Sequence, residues 1–226
     1  MLRTIFALWV GVALSTAGAA QVRGEADALA AAERLLEHAG GREAWAKART
    51  FYVEERAFLP SGEIADLRIW RDLNTGNRRL ERTTASSRFA EWLSPSAGWE
   101  IRNGQRSAIP PHDLVIELQG LQQEPYAIYR RLARNDPALR VHKREDTLYV
   151  YDRDERLLCW FVLGGDGTPR SWGNFWNGSI NQHYYGPIAD MGDANLPKWG
   201  VSTTGSFRFE YVRAALDARP VEPPLR

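Results

Sequence analysis

Residues 148–176 read LYVYDRDERLLCWFVLGGDGTPRSWGNFW, three strand-forming runs separated by two turns. Leu148–Tyr151 is aromatic and β-branched, a composition that fits a pleated and half-buried strand. Leu157–Leu163 is apolar on both faces and predicts a strand covered on both sides. Gly164–Gly167 supplies the positive φ angles of a sharp turn before the third run. We interpret this segment as a meander at the middle of one antiparallel sheet.

Similar runs continue along the chain on both sides of the meander. Thr50–Leu59, Ile64–Arg71 and Phe207–Ala215 are examples, and Ile64–Arg71 alternates so that Leu67 and Trp70 face opposite sides. Closely spaced strands joined by turns predict an antiparallel sheet that curls, rather than βαβ units. We therefore expect a mainly β (α+β) domain of about ten or eleven strands.

One amphipathic helix is predicted ahead of the strands, at Ala26–Ala39. Leu29 and Leu36 fall on its apolar stripe. Gly40–Gly41 ends the helix because glycine tolerates the left-handed cap conformation. Arg42–Lys47 predicts one further short helical turn.

A helical insertion interrupts the strands at residues 111–135. His112–Leu121 and Pro125–Ala133 predict two helices, each opened by a proline. The first is too apolar to face water, so we expect the pair to cover the sheet as a movable lid. The lid residues that we expect to contact the sheet or a ligand are Leu114, Val115, Leu118, Ile128 and Leu132. Arg130, Arg131 and Arg134 are expected on a solvated face, with contact to anionic lipid or a partner as the alternative.

The two ends of the chain carry signals of their own. Residues 1–20 combine a basic start at Arg3, an apolar run at Ile5–Ala13 and small residues before Ala20, which is typical of a cleaved signal peptide. The alternative is an N-terminal membrane anchor. Cleavage leaves 226 − 20 = 206 residues, one ordinary domain. We expect that domain to span residues 21–219 and a flexible Pro-rich tail to occupy residues 220–226.

Charge and reactive side chains exclude several classes of protein. Without Arg3 the chain has 28 basic and 28 acidic residues, which argues against nucleic-acid binding. The single cysteine, Cys159, lies inside an apolar strand and is interpreted as a small buried hydrophobe rather than a nucleophile. The four histidines are widely spaced, so no metal site is predicted.

Nine tryptophans are many for a chain of this length. Large rings pack cores, but they also line cavities for apolar ligands. We predict that several of them line a cavity on the sheet. The cavity residues that we expect are Trp70, Trp92, Trp99, Trp160, Trp172, Trp176 and Tyr184.

Three segments carry a resemblance to a known family. They are AGGREAW (residues 39–45), SAGWEIRNGQ (residues 96–105) and YGPIADMGDANLPKWG (residues 185–200). Their order, behind a signal peptide, resembles the periplasmic lipoprotein-carrier superfamily, the LolA/LolB-like proteins. The resemblance implies an unclosed antiparallel β-barrel with helices plugging an apolar cavity. It also implies carriage of acyl chains or lipoproteins in the periplasm, without metal or redox cofactor.

We therefore expect a periplasmic, monomeric and non-catalytic carrier or binding protein for an apolar ligand such as a lipid acyl chain. A transient membrane or envelope-protein partner is compatible with that function. Two alternatives remain open: an enzyme acting on a small apolar substrate in the barrel mouth, and an envelope-assembly factor without a small ligand. Convergent polar side chains with perturbed ionisation inside the cavity would favour the enzyme.

Overall fold

A computed structural model describes residues 21–205, 207–217 and 222–223. These residues form a thirteen-stranded antiparallel sheet, a separate two-stranded hairpin and four helices. The predicted signal peptide and, apart from Glu222 and Pro223, the predicted Pro-rich tail lie outside the described residues. Within the described part of the chain, no helix is long and apolar enough to cross a membrane.

The helices are α1 (Ala26–His38), α2 (Arg42–Lys47), α3 (Pro111–Gln123) and α4 (Pro125–Ala133). The first six strands are β1 (Thr50–Phe58), β2 (Ile64–Asp72), β3 (Arg78–Thr83), β4 (Arg88–Ser94), β5 (Ala97–Arg102) and β6 (Gln105–Ala108). After the helical insertion come β7 (Arg140–Arg144), β8 (Thr147–Tyr151), β9 (Leu157–Leu163), β10 (Pro169–Trp176) and β11 (Ser179–Tyr185). The last four are β12 (Ile188–Asp190), β13 (Asn195–Pro197), β14 (Trp199–Ser202) and β15 (Arg208–Leu216).

The large sheet consists of two meanders that meet at the first and last strands. Its order is β6-β5-β4-β3-β2-β1-β15-β14-β11-β10-β9-β8-β7, with β6 and β7 at opposite edges. The chain passes from one edge to the other through α3 and α4. A mainly β, antiparallel and unclosed fold is thus confirmed.

Two details of the prediction were wrong. The meander β8–β10 lies beside the β7 edge, whereas β1 and β15 occupy the middle of the sheet. The described residues also contain more strands than ten or eleven. The additional strands carry weak sequence signals: Gln105–Ala108 is exposed throughout and has no hydrophobic alternation, and the β12–β13 hairpin has only three residues in each strand.

Helices α1, α2 and α4 pack together on one face of the sheet, which we call the inner face. Trp45 of α2 is fully buried at their meeting point, with its ring 5.6 Å from Phe51 of β1 and 5.3 Å from Tyr129 of α4. Its indole N–H donates to the carbonyl of Ala39, which closes the α1–α2 corner. Gly40 there has a φ of 110°, as the predicted helix end requires.

The β7–β10 half of the sheet has a conventional apolar inner face. Phe161 is fully buried, and its ring stacks on Tyr129 of α4 at 5.7 Å. Cys159 is buried beside it, and burial raises the pKa of its thiol, as expected for a packing residue. The outer face of β9 is only partly covered, so the expectation of a strand buried on both sides was too strong.

A candidate ligand cavity beneath helix α3

A cavity of about 190 Å³ lies between the inner face of the sheet and helix α3. Its walls come from β1, β2, β10, β11, β15 and the α3–α4 junction, so both meanders contribute. Its aromatic lining consists of Tyr126, Trp172, Trp176, His183, Tyr185, Phe207, Phe209 and Tyr211. Its other polar lining consists of Glu55, Arg71, Glu124, Asn174 and Asn181. The cavity is therefore aromatic with a polar centre.

A β-bulge determines which side chains meet at this centre. The register between β1 and β15 shifts after Glu54, so that Glu55 faces Tyr211 instead of Val212. Val212 is left with 58% of its surface exposed. Bulges commonly re-aim a side chain in this way. Here the bulge brings a carboxyl group and a phenol together on the inner face.

Arg71 of β2 connects the cavity wall to the helices. Its guanidinium makes a two-pronged ion pair with Glu124 at the α3–α4 junction, through Nε and Nη2. Bidentate pairs of this kind fix geometry as well as charge. The remaining nitrogen, Nη1, is buried and has no hydrogen-bond partner among the described residues. One strong donor of the pair is therefore unused.

Glu55 is the unusual group in the cavity. Its carboxylate makes no hydrogen bond, and no ion pair within 4 Å, to any residue that the structure describes. Burial raises its pKa to about 7, and Glu124 adds to that shift while Arg71 opposes it. A carboxyl group with a pKa near neutrality, facing a cavity, is a candidate functional group.

The phenols beside Glu55 are held in place by each other. The hydroxyl groups of Tyr126 and Tyr211 are hydrogen-bonded. Burial, reinforced by the charge on Glu55, raises the pKa of Tyr126. Burial and the neighbouring Tyr126 likewise raise the pKa of Tyr211. Both phenols therefore remain neutral at physiological pH. Because one hydroxyl hydrogen is used in the bond between them, only the other hydroxyl hydrogen is free to be donated.

A chain of amides forms the opposite wall. The Asn174 side chain donates to Gln123 of α3 at 2.8 Å, and Asn181 donates to Asn174 at 3.0 Å. His183 Nε2 lies 2.9 Å from the Asn181 side-chain oxygen. Burial lowers the pKa of His183, so its imidazole is neutral at pH 7. This wall adds dipoles but no charge.

Helix α3 closes the cavity with little packing of its own. Only Gly120 and Gln123 of this helix are buried. The Trp176 ring lies where a side chain at Gly120 would be, since a Cβ there would come within 1.6 Å of the ring. Farther along the sheet, Arg78 pairs with Glu91 and, at 2.8 Å, with Glu117 of α3. Burial raises the pKa of Glu117. The helix is thus held largely by polar contacts and one aromatic ring.

A second space, of about 480 Å³, opens on the other side of α3 and shares Arg71 with the cavity. It is larger, but we place the functional centre in the cavity because Glu55, a carboxylate without a hydrogen-bond partner among the described residues, lines the cavity and not the cleft. Arg130 lines the cleft and donates to the carbonyl groups of Ala48 and Leu73. The prediction of a solvated Arg130 was therefore wrong, because its bonds fasten α4 to the sheet.

Two of the predicted tryptophans, Trp172 and Trp176, line the cavity. Trp172 is also part of the core, and its ring lies 5.9 Å from His183. Both belong to β10, on the side that faces α3.

Trp70, Trp92 and Trp99 lie on the outer face, so their prediction as cavity residues was wrong. Trp70 and Trp92 both oppose Arg79 in the register, and Trp92 opposes Trp99. Residues that face each other across neighbouring strands share a face of the sheet. The helices lie on the other face, where Arg71 and its neighbours point.

Trp160 and Tyr184 also lie outside the cavity. Trp160 packs over Gly173 and 5.6 Å from Phe175 on the outer face, whereas its neighbour Phe161 points inward. Tyr184 is 51% exposed. Tyr185 lines the cavity in its place. In both cases the next residue of the strand is the one that points to the inner face, because neighbouring residues of a strand point to opposite faces.

The predicted lid residues divide between the two helices. Ile128 and Leu132 of α4 are fully buried core residues, so α4 is a fixed element. Leu118 lines the open cleft, Leu114 lies against Gly98 of β5, and Val115 is 53% exposed to solvent. Of the two helices, α3 is the one with few buried residues.

Sequence reasoning missed the polar centre formed by Glu55, Arg71, Glu124, Tyr126 and Tyr211. A weak signal existed, because Glu55 interrupts the inner-face alternation of Phe51, Val53 and Ala57.

Among the described residues, no group of three or more His, Cys, Asp or Glu side chains could hold a metal ion. Comparison with known proteins adds no assignment: no protein-family model matches this chain, and no curated protein does.

Proposed function

We propose that this chain is a non-catalytic binding protein that carries an amphipathic ligand with an apolar chain, and that it acts in the periplasm after loss of its signal peptide. The resemblance to the lipoprotein-carrier superfamily supports this proposal. The observation that carries it is the aromatic cavity beneath a loosely packed helix.

The size of the cavity bears on how a ligand would enter. Ligand pockets usually measure roughly 300–1,000 Å³, and this cavity measures about 190 Å³. A lipid-sized ligand therefore requires α3 to move away from the sheet. The larger cleft, which is lined by Leu118, Leu121 and Pro95 together with polar side chains, offers space for the rest of the chain.

Extraction of ligand from the native protein tests the proposal directly. We expect mass spectrometry of organic extracts to find an amphipathic lipid that is absent from extracts of an unrelated exported protein. The neutral probe N-phenyl-1-naphthylamine should also gain fluorescence on binding. A chain that yields no lipid and does not bind the probe would leave the envelope-assembly alternative.

A disulfide tests whether α3 moves. Gly98→Cys and Leu114→Cys would be close, since a Cβ at position 98 lies 3.0 Å from Leu114 Cδ1. Neither residue lines the cavity, and Cys159 is buried and cannot compete. We expect the oxidised variant to take up the probe at least tenfold more slowly than the same variant after reduction. Equal uptake by the two forms would refute the moving cover.

An enzyme is the second candidate, and Glu55 is the observation that favours it. A carboxyl group with a pKa of about 7 is suited to general acid–base chemistry near neutral pH. Incubating the extracted ligand with the wild type and with Glu55→Gln distinguishes the two functions. Binding alone predicts an unchanged ligand mass in both samples. Conversion by the wild type only would establish catalysis.

A further inference from the structure

The cavity contains one negative charge that the protein does not balance. Arg71 attracts Glu55 electrostatically, but its two-pronged pair is with Glu124, so two carboxylates share one guanidinium. Every other titratable group that lines the space is a neutral imidazole or phenol, namely His183, Tyr126, Tyr185 and Tyr211. An ionised Glu55 therefore has no cation of its own within 4 Å in the described structure, and the three charged groups of the cavity carry a net negative charge.

Glu55 shares the cavity with eight aromatic side chains, and the guanidinium of Arg71 already lies 5.3 Å from the centre of one of them, the Tyr126 ring. Phe209 lies 4.9 Å from Tyr211, and His183 lies 5.6 Å from Phe209. Ring faces attract cations, and an aromatic cage with a carboxylate is the chemistry that recognises alkylated ammonium groups. A carboxylate ligand can accept from the unused Arg71 Nη1, but it would be the third carboxylate around a single guanidinium.

Building on the proposed function, we infer that this cavity is a subsite for the ammonium end group of an amphipathic ligand, with Glu55 as its counter-ion. The aromatic rings surround the cation, and the apolar chain leaves beneath α3. Ionisation of Glu55, whose pKa is raised to about 7 by burial, then sets the affinity. Binding of the cation is strongest above that pH, where the carboxylate is charged.

Three decyl probes that differ only in the end group test the inference by calorimetry. They are decyltrimethylammonium, decanol and decanoate. At pH 8 we expect the ammonium probe to bind about tenfold more tightly than decanol, and decanoate to bind less tightly than decanol. Because the charge on the ammonium probe is fixed, its affinity should fall about tenfold from pH 8 to pH 6 as Glu55 becomes protonated.

Two variants assign the effect to Glu55. Glu55→Gln keeps the shape of the side chain and should abolish the advantage of the ammonium probe at both pH values. Glu54→Gln is the matched control, because Glu54 is the preceding residue of the same strand and bonds to Tyr52 on the outer face. It should retain the wild-type preference and pH dependence.

The possible results separate this inference from the proposed function. Equal affinity for the three probes, a preference for decanoate, or an unchanged preference in a folded Glu55→Gln would overturn the ammonium subsite and leave a carrier of apolar chains. Failure of all three probes to bind would overturn both.

Discussion

The two halves of the sheet bury different chemistry on the same face. Between β7 and β10, the inner face is apolar and packs against α1 and α4 through residues such as Phe161 and Leu148. Between β2 and β4, it carries Arg71 and Arg78, which pair with the α3 region, and Glu91, which pairs with Arg78. The apolar half thus provides stability, while the polar half holds a helix that lies over a cavity.

The largest expected change in the free energy of unfolding follows from removing an aromatic ring from the apolar half. Phe161→Ala should lower the free energy of unfolding by about 4 kcal/mol, because it loses buried area and leaves a void. Phe175→Ala, on the next strand but 47% exposed on the outer face, should cost less than about 1 kcal/mol. Urea denaturation of both variants would measure the difference. Similar losses would mean that the two faces contribute equally.

The next largest change in the free energy of unfolding follows from breaking the ion pairs of the polar half. Arg78→Ala leaves Glu91 and Glu117 without their shared cation and should cost about 3 kcal/mol. Arg79→Ala is the control, since this residue lies on the outer face and pairs with Glu81. Its loss should cost about 0.5 kcal/mol. A smaller cost for Arg78→Ala than for Arg79→Ala would show that α3 is held by other contacts.

A third change should stabilise the protein. The pKa of Glu55 is raised from 4.5 to about 7 in the folded state, so the folded protein binds the proton more tightly than the unfolded chain. Stability from this group is therefore present below pH 4.5 and is lost as the pH rises to about 7.

Glu55→Gln removes that loss and should raise the free energy of unfolding by about 2 kcal/mol at pH 8, with little change at pH 4. Thermal unfolding across this pH range measures the effect. A gain that is the same at every pH would contradict the assignment to Glu55.

The smallest effect concerns the contact between α3 and the sheet. Gly120→Ala improves the intrinsic helix propensity but places a Cβ inside the Trp176 ring, which must shift. We expect a net loss of about 1 kcal/mol and faster hydrogen exchange confined to α3. Gln119→Ala, at an exposed site of the same helix, should show neither. Unchanged exchange in Gly120→Ala would indicate that Trp176 does not hold the helix.

The fold was largely predictable because it depends on local patterns. Prolines at 111 and 125 mark the helix starts, and glycines mark the turns, so the helix bounds agree with the structure to within a few residues. The place of the meander within the sheet was not predictable. Local patterns do not record that the first and last strands pair with each other.

The candidate site was mostly missed because hydrophobicity was taken as the mark of an inner face. Trp70 alternates with Leu67 and Ile69, and that parity alone would have assigned it to the outer face. The burial of Arg71 could not be predicted because its partner, Glu124, lies 53 positions away in sequence. Buried charges that are paired across the fold leave no signal in the local sequence.

The pairing of β1 with β15 also has a consequence for how the molecule is assembled. Phe51 faces Leu216 across this seam, a separation of 216 − 51 = 165 residues. Until the last strand is available, β1 remains an unpaired edge in what becomes the centre of the sheet, and such edges invite pairing with other chains. Contacts of this range also fold slowly. A chain truncated before Arg208 would keep both meanders but have no strand to join them, so the sheet becomes continuous only when β15 pairs with β1.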